Sequence, residues 1–158
     1  MTTLANVPYE QLQVGDTATY ERTLTERDLI LFATVSGDHN PIHLDDEFAS
    51  TTQFGERIAH GMWTGSLISA ALAMKLPGPG GVYRSQELKF LQPVKLNDTV
   101  TVQLEVLEKN DRTKSAIIAT NVVNQDGKFV AKGKATVMPA VEQVEINAGK
   151  LPDVVISN

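Results

Sequence analysis

The sequence predicts an α+β fold in which a curved antiparallel β-sheet wraps around one long central helix. Only one segment, from about residue 60 to residue 76, is apolar nearly all round, which is typical of a helix buried on every side. Four alternating segments rich in β-branched residues follow it between residues 82 and 138. One buried helix followed by consecutive strands favours an antiparallel sheet packed against that helix.

The first part of the chain predicts a strand and a helix. Residues 1–15 show no regular pattern, and residues 17–23 alternate in the manner of a short strand. Thr25 and Asp28 have the spacing of a helix capping box. The apolar residues that follow recur at helical spacing until Gly37, so we expect a helix of about three turns between the two signals.

The middle of the chain joins this helix to the long one. A polar loop follows Gly37, residues 46–49 predict a single helical turn, and residues 51–59 are irregular. The long helix begins near His60 and ends at the Pro- and Gly-rich run of residues 77–81.

The second half of the chain predicts strands throughout. The Asp126-Gly127 pair is typical of a hairpin turn between the last two strands. Beyond Pro139 little periodicity remains, although residues 154–156 have the composition of an edge strand. The predicted strands span 82–90, 99–107, 115–124 and 129–138.

Length and composition predict one globular domain over residues 1–158. The chain has 158 residues, of which 42% are hydrophobic and 21% are charged. It contains neither a basic, apolar signal segment nor an apolar run long enough to span a membrane. The absence of cysteine is consistent with a reducing compartment, so we predict a cytoplasmic protein without membrane attachment.

The charge balance argues against nucleic acid as a partner. The net charge is −5 and the calculated pI is about 5.1, whereas a nucleic-acid surface needs a basic face. Arg84, Lys89 and Lys95 form one local group of cations that is sufficient for a small anionic ligand. Each of them is more simply interpreted as a solvated surface charge.

Asp38 and His43 are the candidate catalytic residues. They lie five positions apart across an Asn-Pro turn, where a carboxylate and an imidazole can share one water molecule and exchange protons with it. Pro41 fixes its own backbone and restricts Asn40, and the Asn40 side chain can bond back to the turn. The sequence therefore predicts general acid–base chemistry at this loop.

Two positions in the long helix are candidates for holding a substrate. Gly61 lies at the predicted helix N-terminus, where free amide groups can stabilise an oxyanion, although glycine there also permits close packing. His60 can cap, pack or act. Ser69 can bond its own helix carbonyl or orient a substrate, and the sequence leaves both interpretations open.

Two other chemistries fit the sequence poorly. His39, His43 and His60 lack the spacing of a zinc motif, and we predict no bound metal. A serine hydrolase needs a nucleophile elbow, and no Gly-x-Ser-x-Gly occurs.

Three segments resemble one family: Ala33–Asp45 (ATVSGDHNPIHLD), Ile58–Met62 (IAHGM) and Gln86–Val94 (QELKFLQPV). They are similar to the MaoC-like (R)-specific enoyl-CoA hydratases, the hydratase 2 enzymes that include the PhaJ type of polyhydroxyalkanoate synthesis. The resemblance covers roughly residues 10–140. It implies a hot-dog fold, a homodimer with active sites near the subunit interface, an acyl-CoA thioester substrate and no cofactor.

The resemblance also implies a role for each site residue. Asp38 and His43 activate the water that adds to a trans-2-enoyl-CoA, giving the (R)-3-hydroxyacyl-CoA. The Gly61 amide polarises the thioester carbonyl, Ser69 lies near the site, and Asn40 supports the loop.

The acyl chain needs a pocket, for which the long helix offers candidates. Leu72 lies about one helical turn beyond the serine at position 69, on the same face. The predicted lining of the acyl pocket is Met62, Trp63, Leu72 and Val137.

Three other functions are compatible with the fold. A 3-hydroxyacyl-carrier-protein dehydratase runs the reaction in reverse, but docking of an acidic carrier favours a more basic surface than this one. A hot-dog thioesterase usually lacks the Asp–His pair. A non-catalytic acyl-CoA-binding domain has no need of it.

Overall fold

The computed structural model of the chain describes residues 2–157, in which seven strands and four helices follow one another. The strands are β1 (Thr2–Ala5), β2 (Thr17–Thr23), β3 (Val82–Phe90), β4 (Thr99–Asn110), β5 (Ser115–Val123), β6 (Phe129–Met138) and β7 (Glu145–Ala148). The helices are α1 (Glu26–Ser36), α2 (Pro41–Leu44), α3 (Asp46–Ser50) and α4 (Gly61–Met74).

Five of the strands form one antiparallel sheet that curls around α4. The strand order is β2-β4-β5-β6-β3, while β1 and β7 pair separately. Helix α4 packs against both β2 and β3, which are the two edges of the five-stranded sheet. A sheet whose opposite edges reach the same helix must wrap around it, as the sequence predicted.

The core lies between α4 and the concave face of this sheet. Alternate residues of β4 and β5 point inward, because successive side chains of a strand face opposite sides. Burial of this continuous apolar surface is the main favourable term in folding. The fully buried side chains of the two strands and of α4 include Val100, Val102, Leu104, Val106, Ile118, Val122, Ile68 and Ala71.

Helix α1 begins and ends at the predicted residues. The Asp28 amide donates to Thr25 Oγ1 at 3.2 Å, and the Thr25 amide donates to Asp28 Oδ2 at 2.9 Å, which completes the capping box. Partial burial raises the pKa of Asp28, but hydrogen bonds from Thr25 and the charge of Arg22 outweigh it and hold that pKa below its usual range. Gly37 ends the helix with a φ of 77°, in the left-handed region that favours glycine.

Helix α4 has an exposed face, so the prediction of burial on every side is wrong. Met62 is 60% exposed, and Ser66, Ser69 and Ala73 along the same face are exposed as well. The curled sheet covers only the opposite face of the helix. Because the uncovered face also carries apolar and small residues, the sequence of α4 shows no polar face.

The ends of the chain also differ from the sequence prediction. Strand β1 lies within the segment expected to be irregular, and it pairs with β7 from Thr2↔Ala148 to Ala5↔Glu145. Residues 154–156 lie outside the strands of the described chain. Four-residue strands carry too little periodic signal to be recognised before their distant partner is known.

Among residues 2–157, no helix is long and apolar enough to cross a membrane.

Candidate active site

The loop between α1 and α2 is held by a ladder of side-chain to backbone hydrogen bonds. Ser36 Oγ accepts from the Asp38 amide at 3.2 Å, and Asp38 Oδ1 accepts from the Asn40 amide at 3.2 Å. Asn40 Oδ1 in turn accepts from the Ile42 amide at 3.1 Å and so caps α2. Because Oδ1 of Asp38 is engaged in the ladder, Oδ2 is the oxygen that remains for chemistry. The Asn40 side chain thus joins the end of the loop to the first turn of α2.

His43 directs its Nε2 toward Asp38. Its Nδ1 lies 2.8 Å from the carbonyl oxygen of Ile58, which can only accept, so Nδ1 carries the proton. In the neutral imidazole Nε2 then holds a lone pair, and it lies 3.8 Å from Asp38 Oδ2. The side chain of His43 is 10% exposed and that of Asp38 is 54% exposed. Two acceptors therefore face each other, one buried and one accessible to solvent.

His60 lies against both members of this pair. Its Nε2 is 2.9 Å from the backbone carbonyl oxygen of Asp38, and its ring stacks on that of His43 with centroids 3.7 Å apart. The sequence left its role open, because only the tertiary structure brings residue 60 to the loop at residue 38.

A metal centre fits this cluster poorly, although ligand atoms of Asp38, His43 and His60 lie within 4.8 Å of one another. The two imidazole planes are stacked with an angle of 22° between them. Since the lone pairs lie in the ring planes, they point side by side and do not converge on one ion.

Gly61 is the first residue of α4 and follows His60 directly. No backbone carbonyl of residues 2–157 accepts from its amide, as expected at a helix N-terminus. A Cβ at this position would lie 3.4 Å from the Phe90 ring. Gly61 also borders a cavity of about 320 Å³ that is lined by Phe54, Thr64, Phe90, Pro93 and Val130 among others. Gly61 therefore combines a free amide donor with a position on the wall of a cavity.

The predicted acyl-pocket residues separate into two groups. Leu72 and Val137 line one cavity of about 100 Å³, together with Ser69 and Tyr83. Met62 lines a neighbouring groove of about 690 Å³, which Ser69 and Tyr83 border as well. The groove and the cavity thus share a boundary.

Trp63 lies elsewhere. It is 4% exposed and borders a different depression, beside Tyr20 and Leu31 of β2 and α1. Successive residues of an α-helix are rotated by about 100° around its axis. This rotation places Trp63 on the sheet-facing side of α4, while Met62 faces the groove. Trp63 is therefore a core residue and does not line the groove, so its assignment to the acyl pocket is wrong.

Ser69 is exposed and lines the groove. It follows Gly61 by eight residues, which corresponds to about 12 Å along the helix axis. The two residues therefore border the same helix face at different depths, and they do not contact the same substrate atom.

Phe90 was missed by the sequence analysis as a site residue. It lines both the cavity beside Gly61 and the groove that contains Met62, and it is 49% exposed. The signal that could have found it is its place in the Gln86–Val94 segment, one of the three segments that resemble the family.

The three cations noted in the sequence do not form one cluster. Lys95 pairs with Glu56 at 2.6 Å, and that hydrogen bond raises the pKa of Lys95. Arg84 and Lys89 are exposed on β3. Two of the three are thus available to an anionic ligand.

A sheet curled around a helix, with a carboxylate–imidazole pair at the N-terminal end of that helix, defines a hot-dog protein equipped for general acid–base chemistry. The family can be stated as well. The chain belongs to the MaoC-like proteins, because the family model described as "MaoC like domain" matches residues 11–127.

Individual relatives agree with this assignment. The chain is 43% identical over 138 residues to the 3-hydroxybutyryl-CoA dehydratase of Methylorubrum extorquens, covering 87% of each chain. It is 42% identical to the (R)-specific enoyl-CoA hydratase of Rhodospirillum rubrum, covering 82% of this chain and 90% of the relative.

Solved structures show the same fold. The unliganded R-hydratase PhaJ1 of Pseudomonas aeruginosa is 51% identical, with a TM-score of 0.95 over 99% of this chain and 100% of that one. The (R)-hydratase of Aeromonas caviae has a TM-score of 0.80 at 37% identity over 82% of this chain and 98% of that one. The resemblance and the hot-dog fold predicted from the sequence are confirmed.

Proposed function

We propose that the protein adds water to trans-2-enoyl-CoA and forms the (R)-3-hydroxyacyl-CoA. The observation that carries this proposal is the pair of acceptors, Asp38 Oδ2 and His43 Nε2, held 3.8 Å apart at the N-terminal end of α4. The relatives named as (R)-specific enoyl-CoA hydratases support the same reaction.

The water molecule is held by both acceptors. At 3.8 Å the two atoms are too far apart to bond each other, and a single water can reach both at ordinary hydrogen-bond lengths of about 2.7–3.2 Å. The water donates one hydrogen bond to Asp38 and one to His43, which leaves a lone pair of its oxygen free to attack. The arrangement orients the nucleophile before the substrate arrives.

The proton balance requires no other reactant. The water oxygen bonds to C3 while one water proton passes to the Asp38–His43 pair, and the electron pair of the double bond moves toward the thioester oxygen. The Gly61 amide and the helix N-terminus stabilise the enolate charge on that oxygen. The pair then returns one proton to C2, so both groups end in their starting protonation states.

The acyl chain follows the exposed face of α4. From the thioester beside Gly61 it runs past Phe90 and Met62 into the groove, toward the cavity bordered by Leu72 and Val137. Because Ser69 lies about 12 Å along the helix from Gly61, its hydroxyl contacts the chain and not the carbonyl. The side chains at the closed end set the length limit.

Coenzyme A is the proposed carrier of the acyl group. The relatives at 43% and 42% identity are named for CoA thioesters, while relatives named for acyl-carrier-protein thioesters are 29% identical. The exposed Arg84 and Lys89 on β3 offer charge to phosphates, and the chain as a whole is acidic.

The reaction needs no metal or redox cofactor, in this proposal. All the steps are proton transfers and one addition, and the stacked imidazoles present poor geometry for an ion. Full activity after dialysis against a chelator supports this part, and loss of activity that a divalent metal restores contradicts it.

The test of the function measures the loss of enoyl-thioester absorbance with purified protein and crotonyl-CoA, followed by chiral analysis of the product. Formation of (R)-3-hydroxybutyryl-CoA supports the proposal. The (S)-product contradicts the assigned face, and free CoA identifies a thioesterase. Activity with crotonyl-carrier-protein alone identifies a carrier-protein dehydratase.

We also propose that the protein is a homodimer whose partner covers the exposed face of α4 and the edge strand β3. Met62, Val82 and Phe90 on this face are between 49% and 60% exposed. Monomers rarely expose such a continuous apolar patch on an unpaired edge strand. Light scattering at micromolar concentration tests this, with Val82→Lys expected to yield monomers.

The proposed location is the cytoplasm, because a chain with no cysteine gains nothing from an oxidising compartment. Cell fractionation tests it.

A further inference from the structure

His60 contacts both proposed catalytic residues, although it has no role in the reaction as described. It is 3% exposed, and it immediately precedes the first residue of α4. We propose that His60 is a positioning residue that fixes the backbone of Asp38 and the ring plane of His43. This inference rests on the proposed function, because it concerns how the same site is held.

The hydrogen bond to Asp38 determines the protonation of His60. Nε2 lies 2.9 Å from the Asp38 carbonyl oxygen, which can only accept, so Nε2 carries the proton. Through this bond His60 fixes the backbone of the residue whose carboxylate faces His43. The ladder from Ser36 to Ile42 fixes the side chain of Asp38, and His60 fixes its main chain.

Nδ1 of His60 is buried and has no hydrogen-bond partner within residues 2–157. A buried acceptor without a partner costs free energy that an apolar ring of similar size would not cost. Besides His43, the ring of Phe32 also packs against His60, with ring centroids 5.0 Å apart, so an apolar side chain would fit these surroundings. The imidazole is therefore explained by the donor that it supplies, and not by packing.

The stacking contact restrains the ring of His43. Its centroid lies 3.7 Å from that of His60 with an interplanar angle of 22°, so rotation about the bond to the ring would drive the two rings into each other. The Ile58 carbonyl holds Nδ1 of the same ring at 2.8 Å. Together the two contacts direct Nε2 toward Asp38.

One short segment thus supplies all of these contacts. Ile58 holds the His43 nitrogen, and His60 holds the His43 face and the Asp38 backbone. Between them the Ala59 amide donates to the Val94 carbonyl at 2.8 Å, which ties the segment to the chain after β3. Residues 58–60 therefore transmit the position of the sheet to the catalytic pair.

His60 is not itself a candidate acid or base. One ring nitrogen is bonded to Asp38 and the other is buried without contact to solvent. A group that exchanges protons during turnover needs a nitrogen that substrate or water can reach. Its effect on the reaction is exerted through Asp38 and His43.

The test compares His60→Phe and His60→Gln with the wild-type chain in the crotonyl-CoA assay. Phe keeps an aromatic ring and loses the donor, while Gln keeps an N–H at about the reach of Nε2 and loses the ring. We expect His60→Phe to lower kcat by about 100-fold, since displacement of a catalytic group by about 1 Å has that effect. We expect KM to change less than about threefold, because binding shared by ground and transition states is untouched.

His60→Gln should recover part of the lost kcat, because the Asp38 carbonyl keeps its donor. A purely structural role would lower the melting temperature without this separation of kcat from KM and without rescue. His39→Gln is the matched control, since it makes the same substitution at an exposed histidine of the loop between α1 and α2, and its kcat should stay unchanged.

A folded His60→Phe variant with kcat within about twofold of wild type overturns the inference and leaves the proposed function standing. A wild-type chain inactive on all enoyl thioesters overturns both. If the variants do not fold, imidazole ¹⁵N shifts of the wild-type chain decide: a proton on His60 Nε2 supports the inference, and a proton on Nδ1 overturns it.

Discussion

The His43 ring donates from Nδ1 to the carbonyl oxygen of Ile58 at 2.8 Å, and this bond decides which nitrogen faces Asp38. Since the bonded nitrogen keeps its proton, Nε2 is left as an acceptor 3.8 Å from the carboxylate. This contact with a residue fifteen positions away in the chain therefore orients the His43 ring toward Asp38.

Removing either acceptor should abolish most of the activity and leave the fold intact. In Asp38→Asn the remaining oxygen can still accept from the Asn40 amide, and in His43→Asn the amide nitrogen can replace the Nδ1 donor to Ile58. We expect each variant to lose about 10²–10⁴-fold in kcat with crotonyl-CoA, the range for general acid–base groups.

Unfolding curves of these two variants should stay close to that of the wild type, and His39→Gln provides the neighbouring control. Near-full turnover in either variant would mean that the pair is not the catalytic centre.

Shortening the side chain at position 72 should shift the preference toward longer acyl chains. Leu72 borders the cavity of about 100 Å³ at the end of the groove, so Leu72→Ala lengthens the space for the chain. We expect the ratio of kcat/KM for octenoyl-CoA to that for crotonyl-CoA to rise at least about tenfold, since one methylene in an apolar pocket is worth that much.

Ile68→Ala is the control for this shift. Ile68 is fully buried one turn earlier on α4 and does not border the cavity. Both substitutions should lower the free energy of unfolding by about 2–5 kcal/mol, and only Leu72→Ala should change the chain-length ratio. Equal chain-length ratios in the two variants would show that Leu72 does not line the acyl pocket.

The N-terminal capping box of α1 should contribute measurably to stability. Thr25→Ala removes the acceptor for the Asp28 amide, and we expect the free energy of unfolding in urea to fall by about 1 kcal/mol. Thr34→Ala removes a threonine from the exposed side of the same helix, where its hydroxyl bonds only the Ile30 carbonyl, and should change stability far less. Equal losses of unfolding free energy in the two variants would show that the capping hydrogen bond adds nothing to stability.

Tyr9 should make the fold less stable at high pH. Burial, the hydrogen bond to Asp111 and the negative charges of Asp111 and Glu10 raise its pKa to about 12. In the unfolded chain the phenol ionises near its ordinary pKa of about 10, so between these values the folded state binds more protons. Stability from this group is complete below pH 10 and is lost as the pH rises toward 12.

Urea unfolding at pH 9 and at pH 11.5 measures this effect. The free energy of unfolding of Tyr9→Phe is expected to decline less between the two pH values than that of the wild type. Tyr20→Phe removes a phenol hydroxyl at another position, in β2, and should decline as the wild type does. A decline in Tyr9→Phe as steep as that of the wild type would contradict the assignment.

Gly133 should be intolerant of any side chain. A Cβ there would overlap the Glu87 carbonyl oxygen of the neighbouring strand and lie 3.0 Å from the Gln86 amide nitrogen, which crosses toward Thr120. We expect Gly133→Ala to lower the free energy of unfolding by about 1–3 kcal/mol through overpacking. Gly149→Ala, where no atom lies within 4 Å, should change it by less than about 0.5 kcal/mol.

Local signals predicted most of the elements. The Thr25–Asp28 box and Gly37 bound α1 because caps and left-handed glycines act within a few residues. The bounds of β3 and β6 agree with the predicted 82–90 and 129–138, since alternation marks each residue of a half-buried strand. The loop from residue 38 to residue 43 was recognisable as a candidate site because its residue types and Asn-Pro turn are contiguous.

Long-range packing decided the rest. Whether Met62, Ser69 or Trp63 faces the groove depends on which side of α4 the sheet covers, and an apolar helix contains no signal for that choice. The pairing of β1 with β7 and the contact of His60 with Asp38 join residues far apart in the chain. The sequence by itself determined the order of the elements and identified Asp38 and His43 as the candidate pair; the tertiary structure decided the walls of the candidate site and the residues that hold the pair, because these depend on contacts between segments that meet only in the folded chain.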